Sequence, residues 1–375
     1  MYAYLRSACF VILAGAVLAV SARAADDVGV PSKEVKPVVE KGYAYLKKSQ
    51  KTDGSFGDRP EQAPGITALV AAALLHNGYG PDDPVTGAAL KYLEEQVKKD
   101  GGIYSKGLAN YVTSVALMAL SDANQGGKYD TVIKNASKFL KSLQFDVDEK
   151  DAKYGGVGYG NGGPKERPDL SNTQLFLDAL MAAGVPKDDP AVQRAVKFIS
   201  RCQNLPGETN DQPFAKKTSE DDKGGLTYNP FVPDDDHPSK TADGGLRSLG
   251  GMTYAGLKSF LYAGVSKDDP RVKGAINWIR RHYTLEDNPG MGQSGLYYYY
   301  HTFAKAMSAW GEDRFEDAKG TKHDWRRDLF DALKARQGSD GSWVNKKDQA
   351  YGEKNADLAT AFALLAISYT QPAKK

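Results

Sequence analysis

The chain has 375 residues, and 49 Lys and Arg residues against 47 Asp and Glu residues give it a formal net charge of +2. This balance argues against nucleic acid as a partner, because binding nucleic acid requires a basic face that neutralises phosphates. Charged residues make up 26% of the chain, an ordinary globular proportion that excludes wholesale disorder. Because the chain is longer than most single compact cores, we expect two domains or a repeat architecture.

The first 24 residues have the three parts of a secretory signal peptide. Arg6 supplies positive charge, and the apolar run from Ala8 to Val20 is shorter than the ~20 residues of a membrane span. The sequence Ala22-Arg23-Ala24 is an A-x-A cleavage signature. A buried N-terminal helix is the alternative interpretation. No later stretch is apolar enough to span a bilayer, so we expect residues 1–24 to be removed and residues 25–375 to form one exported domain, periplasmic or secreted.

The two cysteines exclude an intramolecular disulfide in the mature chain. Cys9 lies inside the expected signal peptide and leaves with it, so Cys202 remains alone. A single thiol also cannot form a multi-thiolate metal site. We expect Cys202 to be a small, partly buried hydrophobic residue near a helix end.

Six segments of the chain align with one another without gaps, and each has threonine as its second residue. An apolar residue follows two positions later, and a small residue six positions later. These segments are rich in Ala, Leu and Met and contain no Pro, which is typical of helices. Three of them are followed by Asp-Asp-Pro, which predicts a helix N-cap with proline in the first turn. The threonines are Thr67, Thr113, Thr173, Thr253, Thr302 and Thr360.

A second predicted helix precedes each of these segments and ends at a glycine turn that closes on an aromatic residue. A left-handed glycine is expected to end the helix, and a nearby glutamine amide can bridge free helix-terminal groups. The glutamines are Gln50, Gln144, Gln203 and Gln337, and the turns fall at 53–56, 102–104, 156–159, 225–228, 295–297 and 340–343. The chain is thus predicted to be six helix-turn-helix units. Because the last unit ends on the apolar run 364–367 instead of a polar cap, we expect the units to close into a ring around a central cavity.

The turns at 50–56 and 337–343 resemble the Gln-Trp repeats of the prenyltransferase and squalene-cyclase superfamily, which includes squalene–hopene cyclases and other terpene cyclases. The resemblance covers nearly the whole mature chain. It implies an all-α fold, the (α/α)6 toroid, with a double ring of helices and an aromatic-lined apolar cavity. A fold of this kind does not by itself imply an activity.

Neither catalytic signature of the superfamily is complete in this chain. Squalene–hopene cyclases use Asp-x-Asp-Asp-Thr, whose acid protonates an alkene; the matching stretch is Asp169-Leu170-Ser171-Asn172-Thr173, where Ser171 takes the acid's place. Prenyltransferase β subunits hold zinc with Asp, Cys and His. His301 resembles the histidine, but Met252 and its neighbours replace the other ligands. We therefore expect no squalene cyclisation, no tight zinc, no other metal and no cofactor, and whether the protein is an enzyme stays open.

Without a complete catalytic signature, the feature of the superfamily that this chain could retain is a binding surface in the central cavity. We expect the starts of the ring helices to converge on one mouth, where their dipoles favour an anion. The candidate ligand-binding residues are Asp169, Asn172, Arg247, Tyr254, Tyr300 and His301. Aromatic faces would hold an apolar chain, while Arg247 and His301 would hold a polar head. The alternatives are that these side chains simply fill the ring centre and that His301 is a hydrogen-bonded histidine at a helix start.

Three functions are compatible with this sequence. The first is an exported protein that binds an isoprenoid or other small apolar lipid. The second is a non-catalytic interaction scaffold. The third is a glycan-active enzyme, which would need paired carboxylates. The candidate carboxylates are Asp169, Asp357 and the cluster Asp234–Asp236. The alternative interpretation of that cluster is a surface turn or a cation-binding loop. An apolar cavity favours the first function, whereas a filled polar centre favours the second.

Overall fold

A computed structural model describes residues 28–160, 166–233, 237–348 and 350–372. The expected signal peptide and the Asp234–Asp236 cluster lie outside these residues. The helices described are α1 Ser32–Ser49, α2 Ala63–His76, α3 Pro84–Glu95, α4 Ala109–Asp122, α5 Asp130–Ser142, α6 Leu170–Ala182, α7 Pro190–Arg201, α8 Gly250–Tyr262, α9 Pro270–Arg281, α10 Leu296–Trp310, α11 Trp325–Arg336 and α12 Ala356–Ile367. A two-stranded antiparallel hairpin, β1 Phe315–Glu316 and β2 Lys322–His323, precedes α11.

The even-numbered helices form a closed inner ring. Each packs against the next even-numbered helix, and α12 packs against α2 to complete the circle. These helices are apolar on all sides; α2, for example, is buried without interruption from Ala63 to Leu74. Helices of this kind need neighbours on every face. The odd-numbered helices supply the outer layer, and the toroid predicted from the sequence is confirmed.

Three of the outer helices begin at the Asp-Asp-Pro sequences. The second aspartate of each is the N-cap residue, and its carboxylate accepts hydrogen bonds from backbone N–H groups of the first turn. Proline then occupies the first helical position, where no N–H is needed. The capping residues are Asp83, Asp189 and Asp269. This prediction is also confirmed.

The four glutamines join neighbouring outer helices. In each case the side-chain Nε2 donates one hydrogen bond to the carbonyl oxygen of a glycine in its own turn or directly before it, and a second to a carbonyl in the first part of the next outer helix. The second acceptors are Val85 for Gln50, Ala191 for Gln144, Arg271 for Gln203 and Val38 for Gln337, at 2.8–2.9 Å. The last of these connects α11 to α1, so the same contact that joins successive repeats also closes the ring.

The repeated threonine holds the turn against the inner helix. In five repeats its Oγ1 accepts a hydrogen bond of 2.9–3.0 Å from the backbone N–H of an apolar or aromatic residue in the turn. The pairs are Phe56 with Thr67, Ile103 with Thr113, Val157 with Thr173, Leu226 with Thr253 and Trp343 with Thr360. Threonine recurs at this position because the buried backbone N–H of the turn needs a hydrogen-bond acceptor.

The fifth repeat departs from the prediction. The expected turn at 295–297 is the start of α10, with Gly295 as a left-handed N-cap. Tyr299 and Tyr300 lie on that helix, and their hydroxyls donate to the carbonyl oxygens of Thr284 and Leu285 at 2.7 and 2.6 Å. These two hydrogen bonds tie α10 to the chain that follows α9. Thr302 correspondingly donates to the Tyr299 carbonyl within its own helix, at 3.0 Å.

Candidate functional site

Two cavities lie along the axis of the ring. The larger, which we call the wide cavity, has a volume of about 1150 Å³ and is lined by residues at the amino-terminal ends of the inner helices. The smaller, which we call the narrow chamber, has a volume of about 210 Å³ and is lined by residues of their carboxyl-terminal halves. The helix starts thus converge on one cavity, where backbone N–H groups and helix dipoles favour negative charge.

A layer of four side chains separates the two cavities. Tyr111, Leu175, Tyr298 and Phe362 line both of them. Leu175 and Phe362 each lie two residues after a repeated threonine, so the apolar column found in the sequence contributes to this layer. The ring centre is therefore filled at mid-height and open at both ends.

The wall of the wide cavity is rich in aromatic side chains. They are Tyr111, Tyr159, Tyr228, Phe231, Tyr298, Tyr351 and Phe362. Three exposed arginines, Arg59, Arg167 and Arg247, also line this cavity. None of them forms an ion pair within the part of the chain that the structure describes, and the Arg167 guanidinium lies 5.6 Å from the centroid of the Phe231 ring. The cavity combines flat apolar surfaces with cations that are free to meet an anion.

Asp169 and Asn172 stand behind this wall. Asp169 is the N-cap of α6: its carboxylate accepts from Ser171 Oγ at 2.7 Å and from the backbone and side-chain nitrogens of Asn172 at 2.9 and 2.8 Å. Burial raises the pKa of Asp169, against these hydrogen bonds. Ser171, at the position of the cyclase acid, lines the wide cavity. A hydroxyl that donates to the carboxylate behind it cannot protonate an alkene.

Arg247 and His301 belong to different cavities. Arg247 lines the wide cavity, and its backbone N–H donates to the Ser239 carbonyl at 2.8 Å. His301 lines the narrow chamber, about one turn further along α10 than Tyr298. Burial, together with the nearby lysines Lys305 and Lys258, holds the pKa of His301 well below its usual value. The structure therefore does not bring Arg247 and His301 to one pocket.

Tyr254 and Tyr300 are buried between the helical layers and line neither of these cavities. The ring of Tyr254 lies 5.6 Å from that of Tyr299 and 5.0 Å from that of Phe303. Tyr300 hydrogen-bonds to the Leu285 carbonyl, as described above. Tyr298, their neighbour, is the member of the tyrosine run that reaches the ring axis.

A buried ionic cluster beside the narrow chamber was not anticipated from the sequence. Asp178 Oδ2 accepts from Lys258 Nζ at 2.6 Å and from Lys305 Nζ at 2.7 Å. Lys258 also donates to Gln174, whose amide donates to the Tyr298 hydroxyl at 3.4 Å. The aligned repeats contain a signal for this cluster: Asp178 and Lys258 each lie five residues after their threonine, in a column that is otherwise Ala, Met or Leu.

The carboxylates proposed for a glycan-active site have structural partners. Asp357 accepts from the backbone N–H of Gly57 at 2.9 Å and from the Tyr45 hydroxyl at 3.1 Å, and Asp169 caps α6. Asp348, on the wall of the wide cavity, accepts from Ser294 Oγ and three backbone N–H groups. Within the described ranges, no group of three or more His, Cys, Asp or Glu side chains is arranged to hold a metal ion. The same residues include no helix long and apolar enough to cross a bilayer.

A comparison with protein families matches residues 58–219 to the squalene-hopene cyclase C-terminal domain. The chain contains a squalene-cyclase-like domain. The match spans less than half of the chain and includes the Asp169–Thr173 stretch, but it contains neither of the turns, 50–56 and 337–343, that carried the resemblance in the sequence. No curated protein matches the sequence.

Solved structures share the fold of this chain over nearly its whole length. The type II terpene cyclase MstE from Scytonema superposes with a TM-score of 0.52 at 12% identity, covering 90% of this chain and 97% of that one. The GH76A α-1,6-mannanase from Salegentibacter gives 0.58 at 10% identity, covering 89% and 98%. Cellobiose 2-epimerase from Bacillus thermoamylovorans gives 0.55 at 10% identity, covering 90% and 99%. At these identities the matches show the fold alone.

Proposed function

We propose that the wide cavity binds an isoprenoid or other lipid with an apolar chain and an anionic head. The observation that carries the proposal is that one cavity is lined both by seven aromatic rings and by three arginines that have no ion-pair partner among the described residues. A scaffold with a filled polar centre would not need such a cavity. The family match supports an isoprenoid as the apolar part.

The apolar chain would pack against the floor of the cavity. Phe362, Leu175 and Tyr298 form that floor, and Leu358 and Ile66 line the wall above it. Each buried methylene contributes about 0.8 kcal/mol, so a fifteen-carbon chain gains on the order of 10 kcal/mol before the costs of association. Because those costs are several kcal/mol or more, we expect an affinity of order micromolar for the apolar part with its head group.

The head group would lie where the arginines and the helix starts meet. A guanidinium forms paired hydrogen bonds with phosphate or carboxylate oxygens. Arg167 and Arg247 line the cavity on segments before α6 and α8, so their charges add to the dipoles of those helices. Since both side chains are exposed, binding should weaken as salt concentration rises.

Export is part of the same proposal. The three-part pattern of residues 1–24 supports removal of a signal peptide, with residues 25–375 as a single exported domain. N-terminal sequencing of the protein from fractionated cells tests this proposal: a mature chain that begins at Ala25 supports it, and an uncleaved chain in the cytoplasmic fraction contradicts it.

The binding experiment is calorimetric titration with farnesyl diphosphate, with farnesol as the neutral analogue. We expect saturable binding of one farnesyl diphosphate per chain and weaker binding of farnesol. Arg247→Ala should weaken the binding of farnesyl diphosphate by roughly tenfold, because one charge-assisted contact contributes about 1.5 kcal/mol. Arg280→Ala is the matched control, since Arg280 lies outside the wide cavity.

Equal loss of affinity in the two variants, or no saturable binding to the wild-type protein, would contradict the proposal. Mass spectrometry of lipid extracted from the purified native protein gives an independent measure of the natural ligand. We expect neither cyclised squalene nor stoichiometric zinc, since Ser171 stands at the acid position and Met252 at the thiolate position. Hopanoid product in an assay, or tightly bound zinc in the purified protein, would overturn that expectation.

A further inference from the structure

The narrow chamber is an apolar pocket with charged groups at its base. Its wall includes Leu69, Val115, Met118 and Leu365, from three of the inner helices. His301, Asp178 and Lys305 line it as well. It opens at the carboxyl-terminal ends of the inner helices, on the opposite side of the four-residue layer from the wide cavity.

The charges at the base do not cancel. Lys258 and Lys305 share the single carboxylate of Asp178, and both ammonium groups bind the same oxygen, Oδ2. The exposed fractions of the three side chains are 1%, 12% and 3%. Among the residues that the structure describes, Asp178 Oδ1 and His301 Nδ1 have no hydrogen-bond partner. Two cations and one anion are thus held out of water, which leaves one positive charge uncompensated.

The protonation states of the three side chains support a net charge of +1 for the cluster. Burial alone would raise the pKa of Asp178, but the two lysines outweigh it and lower the pKa. Burial lowers the pKa of Lys258 to about 8, which still leaves the amine protonated at neutral pH. For Lys305 burial opposes the charge, yet Asp178 raises the pKa above its usual value. His301, with its lowered pKa, is neutral and adds no charge.

The other charged groups around the chamber do not balance the cluster. Asp122 lines the chamber but is paired with His76 Nε2 at 2.9 Å, and 36% of its side chain is exposed to water. Tyr262 and Tyr369 line the chamber with their pKa raised by burial, so they are neutral. The helix carbonyl ends favour cations only within the last turn, and Lys305 precedes the end of α10 by five residues.

We propose that the narrow chamber is a second ligand site, separate from the wide cavity, which binds a small monocarboxylic acid with a short apolar tail. The carboxylate accepts a hydrogen bond from Lys305 and supplies the missing negative charge. The neutral imidazole of His301 has one N–H to donate to the same ligand. The tail packs on Leu69, Val115 and Met118. A volume of about seven water molecules sets the size to that of a short-chain acid.

The test is titration of the full chain with sodium hexanoate, with hexan-1-ol and matched sodium chloride as neutral and salt controls. We expect one hexanoate to bind per chain and to raise the unfolding temperature of the wild-type protein, and neither control to do so. Lys305→Met should weaken the binding of hexanoate at least tenfold. This variant leaves one lysine paired with one carboxylate, so the unliganded variant should unfold at a temperature no lower than the wild type.

Arg247→Ala separates this site from the wide cavity, because Arg247 lines only the latter. It should leave hexanoate binding unchanged, and Lys305→Met should leave farnesyl diphosphate binding unchanged. The proposal is overturned if hexanoate fails to bind wild-type protein saturably, if hexan-1-ol or sodium chloride has the same effect, or if Lys305→Met binds hexanoate as the wild type does. Loss of hexanoate in Arg247→Ala would place the acid in the wide cavity and also overturn it. If Lys305→Met does not fold, the wild-type titrations with the two controls still decide the outcome.

Discussion

Gln337, near the end of the chain, donates a hydrogen bond from Nε2 to the carbonyl oxygen of Val38 at 2.9 Å, across 299 residues of sequence. The same Nε2 donates to the Gly341 carbonyl at 3.0 Å. Three other glutamines make the equivalent pair of contacts between consecutive outer helices. The contact that defines the repeat is thus also the contact that joins the last repeat to the first.

Replacing Gln337 should weaken the closure of the ring. In Gln337→Met two carbonyl oxygens lose their donor while the volume of the side chain is nearly kept, so we expect the free energy of unfolding to fall by about 2 kcal/mol. Urea denaturation measures it. Gln193→Met is the control, since Gln193 is exposed and donates to the Lys187 carbonyl within its own segment. An equal, small effect of both substitutions would show that the glutamine does not stabilise the closure.

A side chain in a glycine turn should destabilise the protein both through the left-handed backbone and through a clash with the neighbouring outer helix. Two glycines, Gly101 and Gly78, allow these two costs to be measured separately. Gly101 and Gly78 have nearly the same left-handed φ, +92° and +89°. A Cβ at Gly101 would lie 2.7 Å from the Asn135 carbonyl oxygen of α5, whereas a Cβ at Gly78 meets nothing within 4 Å. Gly78→Ala should cost about 1 kcal/mol for the backbone conformation alone. Gly101→Ala should cost roughly 2 kcal/mol more, because α5 must move.

Urea denaturation of the two alanine variants measures that difference directly. Because the two glycines have nearly the same φ, the cost of the backbone conformation cancels in the comparison. The remaining difference in unfolding free energy is the cost of the clash between the turn and α5. Equal costs would mean that the turn does not need to touch α5.

Glu353 should make stability depend on pH near neutrality. It is fully buried, and accepts from the Tyr298 backbone N–H and from Asn345 Nδ2, both at 2.8 Å. Burial outweighs these donors and raises its pKa from 4.5 to about 7. The folded state therefore keeps a proton that the unfolded state has released. This stabilisation is complete below pH 4.5 and is lost as pH rises through 7.

The pH effect is measured as a difference between variants. Between about pH 4.5 and pH 7 the wild-type protein should lose up to about 1.4 kcal/mol per pH unit relative to Glu353→Gln, which cannot titrate, and the difference should level off above pH 7. Glu208→Gln, at an exposed loop position, should track the wild type from pH 5 to 8. If the stability difference between wild type and Glu353→Gln is constant over that range, Glu353 is not protonated in the folded state.

Much of the fold could be predicted because the same residues recur for the same physical reason. Each Asp-Asp-Pro caps a helix, each of the four glutamines bridges two helices, and five of the six threonines accept from a buried turn N–H. The fifth repeat could not be predicted this way. Gly295-Leu296-Tyr297 has the composition of a turn, but a left-handed glycine can precede a helix as well as end one, and here it starts α10.

The candidate site was harder to predict than the fold because side-chain direction within a helix decides it. Tyr298 and Tyr300 are two residues apart, which on a helix places them on different faces. Tyr298 therefore reaches the axis while Tyr300 packs between the layers. Asp178 and Lys258 share one column of the repeat, but the column alone does not show that the two side chains turn toward each other between the neighbouring helices α6 and α8.

The most direct test of the central proposal is a crystal structure of the mature protein with farnesyl diphosphate at a concentration that saturates binding in solution. We predict density for the prenyl chain in the wide cavity, against Tyr298 and Phe362, with the diphosphate beside Arg167 or Arg247. Density for the ligand elsewhere, or an empty wide cavity under saturating conditions, would contradict the assignment of this cavity as a lipid-binding site.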